Sequence, residues 1–275
     1  MTDGIAEIRF AMRGGTTRLA HLYQCDPLRV LFPAPDENDP PLAVILTTSG
    51  GLVSGDRLDV VVEIAPGAVA HVTTSAAEKI YRSTGRTTTI SQNLSVASGA
   101  VLEFLPLETI VFDGAGLQRK TVLHLGPGAA FLGGDIVVFG RRARGERFVT
   151  GFLREVWEVH KDGELVWGDA LQLDDNIGSI IDDPACFDGA AAFAIMILSP
   201  GSASAQDLID AARVVQAAAA TTALHSGVTV IAGLVVARWL ASDPSLLRKA
   251  YADLACHFRS AALGLPLHLP RVWHI

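Results

Sequence analysis

The stretch Val60-Val61-Val62-Glu63-Ile64-Ala65-Pro66-Gly67-Ala68-Val69-Ala70-His71-Val72-Thr73-Thr74 decides the fold. A β-like run enters a Gly-Ala turn and a second β-like run leaves it. The phrase returns at 94–105 around Ser98-Gly99-Ala100, and at 122–132 around Pro127-Gly128-Ala129. The glycines lie about 30 residues apart, the spacing of stacked supersecondary units. Each copy reaches a further apolar run: Ile80-Tyr81-Arg82, Ile110-Val111-Phe112 and Ile136-Val137-Val138-Phe139. The pattern predicts a mainly β chain. Its first part, 1–200, reads as a large, repeated, largely antiparallel β scaffold, β-solenoid-like in its stacking. Broad faces of that kind suit partner binding at least as well as catalysis.

Upstream of the repeats, residues 5–12 alternate apolar and polar and read as a strand. Gly14-Gly15 turns into a second strand at 17–25, closed by Pro27. A proline-rich polar loop at 33–41 precedes a buried strand at 42–47. Leu58, Val60, Val62 and Ile64 share one face, with Asp59 and Glu63 on the other. Downstream, Asp162-Gly163 is a hairpin signal between runs at 152–157 and 165–173. After residue 200 the pattern changes. Residues 204–220 have helical composition, with Ser204 and Asp207 resembling a capping box. Residues 227–240 return to β character. Asp243-Pro244 opens a second helix that runs to 263 and stops at Gly264, with Pro266 beyond. The ending, Pro270-Arg271-Val272-Trp273-His274-Ile275, is too apolar for a free tail. No linker divides the chain, so one domain over 1–275 is expected, with a helix–strand–helix part at 201–275.

The chain has 275 residues and a formal net charge of −7, and it is 49% hydrophobic. No stripe of Lys or Arg forms, which argues against nucleic acid as a partner. The apolarity has two readings: Ala-rich composition, or surface that a partner covers. Cys25, Cys186 and Cys256 are far apart and make no disulfide framework, which fits a reducing cytosol. The start of the chain lacks a basic segment followed by an apolar one, so no signal peptide is expected. Apolar runs at 190–198 and 228–240 are short for a membrane span. A cytoplasmic protein is the expectation.

Gly50-Gly51-Leu52-Val53-Ser54-Gly55-Asp56-Arg57 is the richest glycine segment. It lacks phosphate-loop spacing, and a β-like run follows where a phosphate loop needs a helix. A sharp strand-to-strand crossing is the plainer reading, with Asp56 and Arg57 as a surface pair or as lining of an internal passage. Glu78, Lys79, Tyr81 and Arg82 crowd into one short span. They read as a solvated strand edge or as a polar seam facing a partner. The eight histidines, His21, His71, His124, His160, His225, His257, His268 and His274, form no metal-binding spacing. Asp174-Asp175 and Asp182-Asp183 sit around Gly178 in what reads as a polar loop. No nucleophile elbow or acid–base constellation stands out.

Several of these segments, taken in order, resemble the UreD (UreH) family of urease accessory proteins. Thr48-Ser49-Gly50-Gly51-Leu52-Val53-Ser54-Gly55-Asp56-Arg57 is similar to that family's glycine segment. The stretch from Val72-Thr73-Thr74 through Ser75-Ala76-Ala77-Glu78-Lys79-Ile80-Tyr81-Arg82-Ser83 resembles its second motif. Leu105-Pro106-Leu107-Glu108-Thr109-Ile110-Val111-Phe112-Asp113-Gly114-Ala115 resembles the third. Phe139-Gly140-Arg141 with Gly145-Glu146 resembles the fourth, and Pro27-Leu28-Arg29 and Pro270-Arg271-Val272-Trp273 match the two ends. Gly133-Gly134 departs from the pattern, since members often carry a bulky aromatic there.

The resemblance implies many strands followed by two C-terminal helices, and a non-catalytic scaffold in urease maturation. It implies docking on the urease apoprotein and binding of the F-type accessory protein (UreF), which recruits the G-type GTPase (UreG). It also implies nickel in transit, with no tightly bound cofactor. On that reading Asp56 is the candidate for a transient nickel contact. Arg57, Glu78, Lys79, Tyr81 and Arg82 are candidates for passage lining or partner contact, and the helices at 204–220 and 243–263 for the F-type dock. The rival reading is a metal-dependent hydrolase on a β scaffold, which requires three histidines to converge beside a carboxylate. A third is a β-solenoid binding module for some other complex.

Overall fold

The computed structural model describes residues 2–274. Strands β1 (Asp3–Arg13), β2 (Thr16–Cys25), β3 (Leu28–Leu31) and β4 (Leu42–Thr47) lead into the repeats. The first repeat holds β5 (Arg57–Ile64), β6 (Val69–Thr74) and β7 (Glu78–Ile80). The second holds β8 (Thr88–Val96), β9 (Val101–Phe104) and β10 (Thr109–Val111). The third holds β11 (Gly116–Leu125) and β12 (Ala130–Phe139). A hairpin of β13 (Phe152–Lys161) and β14 (Glu164–Leu173) follows, then a short helix α1 (Ile177–Asp182). The chain closes with β15 (Ala192–Pro200), α2 (Ala205–Ala219), the hairpin β16 (Leu224–Ile231) and β17 (Leu234–Ala241), and α3 (Pro244–Leu263).

Each Gly-Ala turn moves the chain from one sheet to the other. A seven-stranded sheet runs β14-β13-β11-β8-β5-β1-β2, and a ten-stranded sheet holds β16-β17-β15-β12-β9-β6-β4-β3 with β7 and β10 beside it. Successive repeats therefore stack in parallel: β5, β8, β11 and β13 in one sheet, β6, β9 and β12 in the other. This corrects the largely antiparallel scaffold expected from the sequence. The turn N–H groups pair with the next repeat, not within a hairpin: Gly67 N donates to Ser98 O (3.2 Å) and Gly99 N to Pro127 O (3.0 Å). Gly67, Gly99 and Gly128 all have φ near +65°, the left-handed region that the turn demands and Gly reaches without strain. Antiparallel pairing is found at the flanks, in β1–β2, β3–β4, β13–β14, β12–β15, β15–β17 and β16–β17.

Two cores result. The larger lies between the sheets and takes the inward phase of each strand, such as Leu58, Val60, Val62 and Ile64 of β5. The smaller lies on the far side of β12, β15 and β17, under α2 and α3. Because both of its faces are covered, every residue of β12 is buried and the strand shows no polar alternation. Gly134 has no room for a side chain there, since a Cβ would sit 1.9 Å from Ile195 O of the neighbouring strand.

Helix α3 begins as the sequence predicts: the Asp243 carboxylate accepts from Ser245 N at 2.8 Å, and Gly264 closes it at φ +64°. Ser204 precedes α2 but makes no side-chain cap bond, so the expected capping box does not form. The β character at 227–240 resolves into the β16–β17 hairpin, and part of the expected loop around Gly178 is α1. The apolar ending packs, with Trp273 stacked on Tyr251 of α3 at 5.9 Å.

Candidate functional site

The motif segments come together as neighbouring rungs at one corner of the stack. Leu52 N donates to Lys79 O (2.7 Å), and Tyr81 N donates to Leu52 O (2.9 Å). Strand β7 pairs in parallel with β10, and β10 with β12. Side chains lock the rungs. The Tyr81 ring meets Phe112 edge-on at 4.9 Å, the Arg141 guanidinium lies 4.3 Å over Phe112, and Arg82 Nη2 donates to Asp113 Oδ2 at 3.0 Å. Asp113 Oδ1 accepts from Val149 N, Thr150 N and Thr150 Oγ1, fixing the loop after β12. Gly51 fits where a Cβ would lie 2.5 Å from the Tyr81 ring and 2.9 Å from Lys79 O.

The six candidate residues are distributed over this corner. Asp56 is buried, and its two carboxylate oxygens accept main-chain N–H groups, from Thr2 at 2.8 Å and from Val53 at 2.9 Å. Burial opposes ionisation there, but those amides outweigh it and hold the carboxyl below its usual range. Arg57 is exposed at the start of β5. Tyr81 and Arg82 face outward at the corner, and the Tyr81 hydroxyl donates to Gly50 O at 3.3 Å. Glu78 and Lys79 instead line a cavity of about 160 Å³ between the sheets, together with Thr47, Gly50, Gly51 and Ser75. Thr47 Oγ1 donates to Glu78 Oε2 at 2.7 Å. Burial raises the Glu78 carboxyl above its ordinary value, against the opposing pull of Thr47 and Lys79.

The same cavity is lined on its inner side by Gln92, Thr109 and Arg119. From there a charged seam continues into the core. Arg119 Nε donates to Glu155 Oε2 (2.7 Å) and Nη1 to Thr109 Oγ1 (3.0 Å), and Asp135 Oδ1 lies 3.1 Å from Nη1. Trp157 Nε1 donates to Asp135 Oδ2 (2.8 Å), and Thr121 Oγ1 to Gln92 Oε1 (2.7 Å). Arg119 Nη2 and Glu155 Oε1 are buried with no hydrogen-bond partner. Burial, reinforced by Asp135, raises Glu155 to about 7 despite Arg119.

Sequence reasoning passed over this seam, although a signal was present. Leu117, Arg119, Thr121 and Leu123 share one phase of β11. Leu153, Glu155, Trp157 and Val159 share one phase of β13. A charge on the apolar phase of two neighbouring strands marks a buried pair. Among the described residues no three histidines come within ligand reach of one another, so the hydrolase reading loses its requirement. His71 is buried against Glu103, while the His124 and His160 rings meet at a tilt on the seven-stranded sheet, 4.9 Å apart.

A β-solenoid-like body with a charged seam between its sheets and a helical layer over one end defines a class of stacked two-sheet proteins. The matching family narrows it. The model of the UreD urease accessory protein family matches residues 2–274. The Urease accessory protein UreD of Magnetococcus marinus is 41% identical over 275 residues, covering 99% of this chain and 94% of that one. Those of Methylobacterium sp. (strain 4-46) and Azorhizobium caulinodans are 40% and 36% identical over 262 and 260 residues, each covering 94% of this chain and 90% and 91% of theirs. The chain belongs to the UreD family of urease accessory proteins. Among the described residues, no helix is long and apolar enough to cross a membrane.

Proposed function

We propose that this protein is a non-catalytic scaffold of urease maturation, working in the cytoplasm, that conducts nickel between its two sheets. It docks on the urease apoprotein, binds the F-type accessory protein through α2 and α3, and through that protein reaches the G-type GTPase. The observation that supports the passage is that Arg119, paired with Glu155 and Asp135, stands at the inner side of the Glu78-lined cavity. Nickel in transit needs oxygen ligands that bind weakly and exchange. Carboxyls pushed up by burial can give up a proton as a cation arrives, and the fixed charge of Arg119 keeps the seam from becoming a trap. On this reading the transient nickel contact falls to Glu78. Asp56 fixes the 50–56 loop over the mouth, with Arg57, Lys79, Tyr81 and Arg82 around it.

The helical dock rests on a surface between α2 and α3, where Val214, Val215, Ala218, Leu246 and Ala250 lie beside the Lys249–Asp253 ion pair. Val214 is 70% exposed. Removing everything after Gly201 does not test it, because that deletion strips α2, α3 and β17 from the second core. Co-expression of the tagged chain with urease apoprotein and the F- and G-type proteins does. The reading predicts recovery of all of them on the tag. A chain that recovers none of them under conditions where it is folded would overturn it.

A further inference from the structure

On the other flank of the fold, the loop at 33–41 meets the end of α3 and the C-terminal segment around a second cavity, of about 310 Å³. Asp36, Asp39, His71, Arg259 and Arg271 line it. Asp36, Asp39 and His268 each offer one ligand atom there, all within 4.8 Å of one another. His268 Nδ1 lies 3.7 Å from Asp39 Oδ2. Ligand atoms that share a cation at about 2.0–2.2 Å sit roughly 3–4 Å apart, so the Asp39–His268 pair is already at that spacing and Asp36 needs only a small side-chain shift to join it.

The acidic pair alone would be a surface cluster. Two buried atoms make it more. The Asp39 side chain is only 4% exposed and its Oδ2 has no hydrogen-bond partner. His71 is 1% exposed, lines the same cavity, and its Nε2 likewise has no partner. The neighbouring atoms have partners of their own. Arg259 Nη2 donates to Asp39 Oδ1 at 2.7 Å, Arg271 Nη2 lies 3.2 Å from Asp36 Oδ1, and His71 Nδ1 is 2.9 Å from Glu103 Oε2. Asp39 thus has one oxygen engaged by an arginine and the other unpartnered, the arrangement by which outer partners orient metal ligands.

We infer that Asp36, Asp39 and His268 form a binding site for a divalent cation of the nickel or zinc type. Two carboxylate oxygens and an imidazole nitrogen are the donors such ions take, whereas magnesium and calcium prefer oxygen alone. A cation there would tie the N-terminal part of the chain to its C-terminal segment. The inference does not depend on the passage between the sheets, which involves other residues.

The test is equilibrium dialysis of the full-length chain against nickel(II) alone and zinc(II) alone, with metal per chain counted for wild type, His268→Ala and Asp36→Asn. His268 is 46% exposed, so its loss leaves folding intact. Asp39 is left in place because Arg259 depends on it. Wild type should hold one equivalent more than either variant, or bind it at least about tenfold more tightly, since even outer-shell losses cost that much. X-ray absorption should show one imidazole in that equivalent, absent in His268→Ala. Equal uptake by all three chains, or no uptake by wild type, would overturn the inference. So would loss of the same equivalent in Glu78→Gln, which should retain it.

Discussion

Arg119 and Glu155 stand opposite each other as register partners on the adjacent parallel strands β11 and β13, and both turn inward into a shared ion pair. An ion pair in that position costs desolvation that its Coulombic gain only partly offsets. The seam is thus kept at a cost to stability, as a functional feature is and a purely structural one need not be.

The first prediction concerns pH. With its pKa raised to about 7 from an ordinary 4.5, Glu155 holds a proton in the folded chain that the unfolded chain releases. Its contribution to stability is therefore greatest below 4.5, declines as pH rises toward 7, and is level above it. Glu155→Gln removes that slope. Urea midpoints of wild type and variant between pH 5 and 8 should show wild type losing ground to the variant as pH rises, by about 1 kcal/mol or more. Parallel curves would contradict the assignment.

Gly134→Ala should be poorly tolerated. The added Cβ meets the main chain of β15, which cannot move aside as a flexible side chain would. A loss of about 2–3 kcal/mol in chemical denaturation is expected. Gly14→Ala makes a useful contrast, because nothing lies near its Cβ and only its φ of +59° opposes the change.

Arg259 bridges two acidic side chains, Glu103 at 2.7 Å and Asp39 at 2.7 Å, and is itself buried. Arg259→Met removes the guanidinium that both carboxylates share, leaving Glu103 only His71, and should cost about 3–5 kcal/mol. Asp243→Ala, which removes only the α3 cap, should cost about 1 kcal/mol. Thermal or urea unfolding of the two variants side by side would reverse the assignment if the cap proved the costlier loss.

The α2–α3 surface gives a separable test. Val214→Glu changes an exposed side chain, so the thermal midpoint should stay within a few degrees of wild type. Recovery of the F-type protein on the tagged chain should fall severalfold. Full recovery by Val214→Glu together with Leu246→Glu would remove this face from the interface.

What the sequence made legible was local. The Gly-Ala turns, the alternation in β5, the Asp162-Gly163 hairpin and the Asp243–Gly264 helix limits are set within a few residues, and each stands where it was read. Strand direction was not legible, because a turn between sheets and a turn within one sheet draw on the same residues; only the next repeat decides. The place of the candidate residues was half legible. Glu78 and Lys79 fall on the cavity, and Tyr81 and Arg82 on the corner beside it. The amides that bind Asp56 were not legible, because a lone carboxylate in a glycine loop reveals nothing of them. Arg119 and Glu155 are far apart in the chain, and their meeting depends on stacking.

The most direct measurement is nickel per urease active site after activation in the reconstituted assembly, with wild type, Glu78→Gln and Glu155→Gln compared at equal complex recovery. The account predicts that both variants assemble the complex as wild type does and load severalfold less nickel. Full loading by a chain carrying both substitutions, with the complex intact, would contradict it: the metal would then reach urease by a route outside these two sheets.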